Sequence, residues 1–81
     1  MIVRVKLFAA ARQAVGAEQA EVELPEQATV GQLREALGRR HPDLERLLRH
    51  ALFAVNAEYA QDATHLQATD EVACIPPVSG G

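Results

Sequence analysis

Glu71-Val72-Ala73-Cys74-Ile75-Pro76-Pro77-Val78-Ser79-Gly80-Gly81 is the stretch on which the fold turns. Residues 72 to 75 are apolar without interruption, as expected of a strand covered within a sheet rather than one facing water on one side. Neither Pro76 nor Pro77 can donate to a ladder, so the strand should leave the sheet there, its exit stiffened by the proline pair. A short peptide ending in two glycines follows. A domain over residues 1–75 with a flexible tail over 76–81 is the expected organisation.

Working outward, Ile2 to Phe8 alternates: Val3, Val5 and Leu7 share one face, and Arg4 and Lys6 the other, the period of a half-buried strand. Ala9 to Val15 reads as a short helical turn closed at Gly16 by a left-handed glycine. Gln19 to Leu24 alternates again, and Pro25 stops it. Thr29 and Gln32 form a capping box for the main helix. Val30, Leu33 and Leu37 face the core, and Glu35 pairs with Arg39 on the outside. Pro42 ends that helix at His41. Asp43 to His50 predicts a second short helical segment, capped by Asp43 and carrying Leu44, Leu47 and Leu48.

Leu52 to Val55 predicts a short strand, turned at Asn56 into a brief edge strand over Ala57 to Ala60. Asp62 to Asp70 reads as loop anchored by Leu66. The order strand, strand, helix, strand, short strand, strand implies an α+β roll. One principal helix and short extra helices lie across a mixed sheet whose first and last strands are central.

Composition narrows the function. Eighty-one residues, 48% of them apolar, suit one core. No apolar run approaches the roughly 18 to 20 residues of a membrane span, and none supplies the core of a secretory signal, so a cytoplasmic location with no membrane partner is expected. Cys74 is the only cysteine, which excludes an internal disulfide and any all-cysteine metal centre in one chain. It reads as a small core side chain rather than a persulfide acceptor. The net charge of -3 is mild. The basic excess between Arg34 and His50 lacks interleaved aromatics and reads as a solvated helix face, with no nucleic-acid partner.

His41, His50 and His65 are not spaced as helical metal ligands, so no metal site is expected. Asp70 and Glu71 are neighbours, which on a strand would point to opposite faces, and a turn role is expected instead. No phosphate loop, nucleophile triad or dinucleotide fingerprint is present. Catalysis by this chain alone is not expected.

The terminus suggests what it does instead. An ionised carboxylate, with an unperturbed pKa of about 3.5, is a poor electrophile, so another enzyme must activate it, most naturally as an acyl-adenylate made with ATP. Two glycines allow a backbone without side chains to thread a narrow channel.

Leu7-Phe8-Ala9 with Arg12 and Gly16, Thr29-Val30 with Leu33-Arg34, Ala54-Val55-Asn56, and above all Asp70-Glu71-Val72-Ala73 with the Pro76-Pro77-Val78-Ser79-Gly80-Gly81 ending resemble the small, sulfur-carrier subunits of molybdopterin synthase, the MoaD family. The resemblance implies a ubiquitin-like β-grasp fold. It implies that Gly81 is adenylated, converted to a thiocarboxylate and used to donate sulfur to a pyranopterin precursor, building the dithiolene of the molybdenum cofactor. No permanently bound cofactor is implied, ATP being used by the activating partner.

By the same resemblance Gly80 threads the partner's pocket. Phe8, Ile75, Pro76, Pro77, Val78 and Ser79 contact partners: the synthase large subunit, in a heterotetramer, and an E1-like adenylating enzyme. A sulfur donor protein is implied as well. Two alternatives stand beside it: a ubiquitin-like carrier serving thiamine, cysteine or tRNA thiolation or acting as a protein modifier, and a non-catalytic β-grasp interaction module. The family often has Gly where this chain has Thr69, and an aromatic where it has Cys74 or Ile75.

Overall fold

The computed structural model describes residues 1–77; the tail positions Val78, Ser79, Gly80 and Gly81 lie outside the described residues. Strand β1 (Ile2–Leu7) leads through helix α1 (Ala9–Val15) to β2 (Gln19–Glu23). Helix α2 (Val30–Arg40), a 3₁₀ turn (Pro42–Leu44) and α3 (Glu45–Leu48) precede β3 (Leu52–Val55), β4 (Glu58–Ala60) and β5 (Val72–Ile75). The five strands lie in the order β2-β1-β5-β3-β4, with β5 in the middle. β1 and β5 are parallel, and every other pairing is antiparallel. This is the mixed sheet and single long helix of the α+β, β-grasp expectation.

The alternation in the sequence maps directly onto the two faces. Val3, Val5 and Leu7 are buried while Ile2, Arg4 and Lys6 are exposed, and Ala20 and Val22 repeat the pattern on β2. On the inner face these residues meet Val30, Leu33 and Leu37 of α2, together with Phe53, Leu44, Leu66, Val72 and Cys74. No charged or polar residue is buried with them among the described residues. β5 is less fully covered than its apolar run suggests: Val72 and Cys74 are buried, whereas Ala73 and Ile75 are half-buried on the outer face. Pro76 is still buried and Pro77 is exposed.

The start of α2 shows why that helix begins where it does. The first turn of a helix leaves backbone N–H groups without intrahelical partners. Val30 N–H donates to Thr64 O at 2.9 Å and Gly31 N–H to Asp62 O at 2.9 Å. Gln32 N–H donates to Thr29 Oγ1 at 3.2 Å, and Thr29 N–H to the Gln32 side chain at 2.8 Å, completing the capping box. The loop over residues 61–70 is therefore a clasp on the helix. A Cβ at Gly31 would lie 3.3 Å from Asp62, so the small residue permits this close approach.

Three expectations need correction. Asp43 caps nothing: Pro42 opens a 3₁₀ turn, and α3 begins only at Glu45. Proline suits that first position because its missing N–H would have been unpaired anyway. Glu35 and Arg39 do not pair, and the i, i+4 ion pair in this region joins Glu45 to Arg49 at 3.5 Å.

Arg34, expected on a solvated face, is half-buried. Its guanidinium donates to the carbonyls of Leu48 and Ala51, the latter at 2.8 Å, meets Asp62 at 2.8 Å, and lies 5.0 Å from the centre of the Phe53 ring. One side chain thus ties α2 to the end of α3, to the start of β3 and to the clasp.

The β3–β4 turn places both Asn56 (φ 52°) and Ala57 (φ 69°) in left-handed geometry, the arrangement that suits the twist of a two-residue hairpin. Asn56 earns its place by joining the turn to the chain before β5. Its side chain donates to Asp70 at 3.0 Å and accepts from Glu71 N–H at 2.9 Å. Alanine at φ 69° has no such compensation, and glycine removes the steric cost. Ala57→Gly should raise stability by about 0.5–1 kcal/mol in urea titration; an unchanged or lower midpoint would show that the turn carries no strain.

Candidate functional site

The parallel pairing of β1 with β5 sets Val5 beside Val72, Lys6 beside Ala73 and Leu7 beside Cys74. Continued by one residue, the register brings Phe8 alongside Ile75, where both strands leave the sheet at the same end. Ile75 pairs in turn with Leu52 on β3. A parallel row on the same outer face runs Lys6, Ala73, Ala54 and Tyr59. The face opposite α2 is therefore apolar at its exit end: Phe8 is 46% exposed, Leu52 54% and Tyr59 71%. Ile75 and Ala73, half-buried, fill the middle. On the β2 side the same face turns polar, with Arg4 donating to Glu21 at 2.9 Å.

Of the residues singled out by sequence, Phe8, Ile75, Pro76 and Pro77 fall together where β5 ends. Leu52 and Tyr59 share their face and were not found by sequence. Leu52 stands in the apolar run 52–55, which does not reveal which residues point outward, and Tyr59 in a three-residue edge strand. Gly80 and Gly81 lie beyond the described residues.

Cys74 is fully buried on the inner face against Phe53. Burial pushes its thiol up to about 11, an effect that the positive charge of Arg34 partly offsets. A protonated, enclosed thiol is neither nucleophile nor metal ligand, which agrees with a packing role. Asp70 accepts from Gln67 N–H at 2.8 Å as well as from Asn56, so it shapes a turn, as expected. Among the described residues no three His, Cys, Asp or Glu side chains gather where one ion would be held. No helix among them is long and apolar enough to cross a membrane.

Comparison with known proteins identifies the fold and the family. The ThiS family model matches residues 5–81. A molybdopterin synthase sulfur carrier subunit from Chlamydomonas reinhardtii is 37% identical over 83 residues, covering 100% of both chains. The crystal structure of SAMP1 from Haloferax volcanii superposes with a TM-score of 0.86 at 35% identity, again over 100% of both chains. A Helicobacter pylori complex of subunits 1 and 2 of molybdopterin-converting factor contains a chain with the same fold, with a TM-score of 0.68 at 24% identity, covering 100% of each chain.

The buried thiol has a consequence for stability. The native state holds the Cys74 proton more tightly than the unfolded chain does, so stability is fully present below the unfolded thiol's value near 9.0 and is lost as pH rises toward about 11. Thermal unfolding should therefore show a fall across that window which Cys74→Ala lacks, the variant itself costing on the order of 1 kcal/mol at neutral pH. A thiol reagent that labels the native protein at pH 8 as fast as the urea-unfolded chain would contradict the burial.

Proposed function

The chain belongs to the ThiS family, and we propose that it is the sulfur-carrier subunit of a molybdopterin synthase, with the Gly81 carboxyl as the carrying group. The observation that carries this reading is the outer apolar face around Phe8, Ile75 and Leu52, placed where β5 hands the chain on to the tail. A carrier needs a rigid body, a docking face and a slender reactive arm, each continuous with the next. The 37% identity, over the full length of both chains, to a molybdopterin synthase sulfur carrier subunit from Chlamydomonas reinhardtii supports the assignment of customer.

The chemistry follows from the group. An E1-like partner joins the Gly81 carboxylate to the α-phosphate of ATP, releasing pyrophosphate. Sulfur supplied at the hydrosulfide level by a donor then attacks the acyl carbon; the C–S bond forms, the C–O bond to AMP breaks, AMP leaves with the electron pair, and the thiocarboxylate remains. Within the synthase large subunit its sulfur attacks a carbon of the pyranopterin precursor and displaces the oxygen substituent held there; water then cleaves the resulting thioester at its acyl C–S bond, leaving the sulfur on the precursor and returning the carboxylate. The carrier supplies no general base, so the acceptor is bound and activated by the large subunit, in a heterotetramer of two small and two large chains. Ile75, Leu52 and Phe8 contact that subunit, and Pro77, Val78, Ser79 and Gly80 lead Gly81 into its pocket. A Haloferax volcanii relative named small archaeal modifier protein 1, 37% identical over 84 residues, favours protein modification as the second reading to test.

Extending the chain by one residue beyond Gly81, or deleting Gly81, should abolish ATP-dependent activation while leaving the circular dichroism spectrum and melting temperature unchanged. Sulfur accepted by an extended chain would overturn the role of Gly81. Leu52→Asp should weaken binding to the large subunit by more than about 2 kcal/mol, measured calorimetrically, with little loss of stability, since an exposed interface anchor is being replaced by a charge. Undiminished binding would move the docking face elsewhere. Thiocarboxylated protein that turns over with thiazole-forming or RNA-thiolating enzymes and not with the synthase large subunit would retain the carrier and change its customer.

A further inference from the structure

The chain contains seven arginines and a single lysine, Lys6. The distinction is chemical, because a guanidinium stays protonated and does not accept acyl groups, whereas an amine in its free-base form does. Lys6 lies in the middle of β1 on the outer face, between Gln19 of β2 and Ala73 of β5. It is exposed, and among the described residues it makes no ion pair.

The other amine is held. Met1 donates its amino group to Leu24 O at 2.6 Å, its own carbonyl accepts from Leu24 N–H at 2.8 Å, and its side chain is 2% exposed. The thiol of Cys74 is enclosed in the core. Among the amines and thiols of the described residues, one exposed and unpaired position is thereby left. That position is two residues from Phe8 on the same face of the strand, within the docking surface.

We propose that Lys6 is the one side-chain amine at which this chain can be acylated by the activated Gly81 carboxyl of another copy, and that a partner docked on the outer face shields it; the inference rests on the reading of Gly81 and of the docking face given above. In the step, the Lys6 Nζ lone pair attacks the Gly81 carbonyl carbon. The C–N bond forms, the C–O bond to AMP breaks, AMP leaves with the electron pair, and the displaced amine proton passes to water. Docking then has a second use besides placing the arm: it covers the one side-chain amine that competes with sulfur for the acyl carbon.

The test uses full-length protein carrying Gly81 as a mercaptoethanesulfonate thioester, prepared by intein cleavage, so that no activating enzyme is required and failure of enzymatic activation is a separate result. In that reaction the C–S bond breaks and the thiol leaves. Peptide mapping should find an isopeptide joining Gly81 to Lys6, and Lys6→Arg should remove the covalent dimer. A dimer formed undiminished by Lys6→Arg, a dimer joined through Met1, or no dimer at all overturns the proposal.

An acetyl N-hydroxysuccinimide ester, which tests Lys6 independently of Gly81, should acetylate Lys6 before Met1; the reverse order overturns it. With the large subunit present at ten times its measured Kd, about a tenth of the carrier remains free, so Lys6 acetylation should fall about tenfold. A complex that forms and leaves Lys6 equally reactive overturns the shielding. Absence of any complex overturns the docking reading and the shielding with it, while the thioester and acetylation results still decide the reactivity of Lys6.

Discussion

The parallel pairing of β1 with β5 is the constraint on which the rest of the molecule depends. Parallel neighbours cannot be joined by a tight turn, so the residues between them must cross from one end of the sheet to the other. Here that crossover contains almost the whole protein, including α2 laid over the inner face. The register is equally demanding. A slip of one residue in β5 would send Ala73 and Ile75 inward and turn Val72 and Cys74 out to solvent. The register thus places the buried pair against the core and directs the chain out of the sheet alongside Phe8.

Much of this was legible because the signals are local. Period-2 alternation located β1 and β2, the Thr29–Gln32 box located the start of α2, and Gly16 (φ 78°) closes α1 as its position suggested. Arg34 was not legible, because its carbonyl partners stand 14 and 17 residues away and its carboxylate partner 28 residues away. On a helical wheel it is one more surface cation. In space it satisfies carbonyls at the end of α3 and lies over Phe53, joining segments that no spacing rule connects. The clasp formed by residues 61–70 escaped for the same reason: its polar sequence reads as loop, and its hydrogen bonds to α2 are purely tertiary.

The candidate site was legible in a different way. The Pro76-Pro77 pair and the terminal glycines stand out because they suit no packed element, so their residue types need another explanation. The exposed apolar face proposed for docking was legible only in part. Phe8 and Ile75 came from resemblance, whereas Leu52 and Tyr59 emerged once the register showed which side of β3 and β4 faces away from α2. An apolar run in a short strand does not reveal its faces, and only pairing does.

The two sides of the sheet divide the work. Behind it, among the described residues, the core is wholly apolar apart from an enclosed thiol. In front, apolar residues at the exit end give way toward β2 to charged ones, a graded surface on which a partner can be both held and oriented. On the proposed reading, in which the Gly81 carboxyl is the reactive group, few competing amines and thiols on the body are an advantage. Arginine in place of lysine at seven of eight basic positions, a thiol kept protonated by burial and a Met1 amine hydrogen-bonded to Leu24 are three independent routes to that scarcity. Each removes an amine or thiol that the activated carboxyl of the proposed carrier would otherwise acylate.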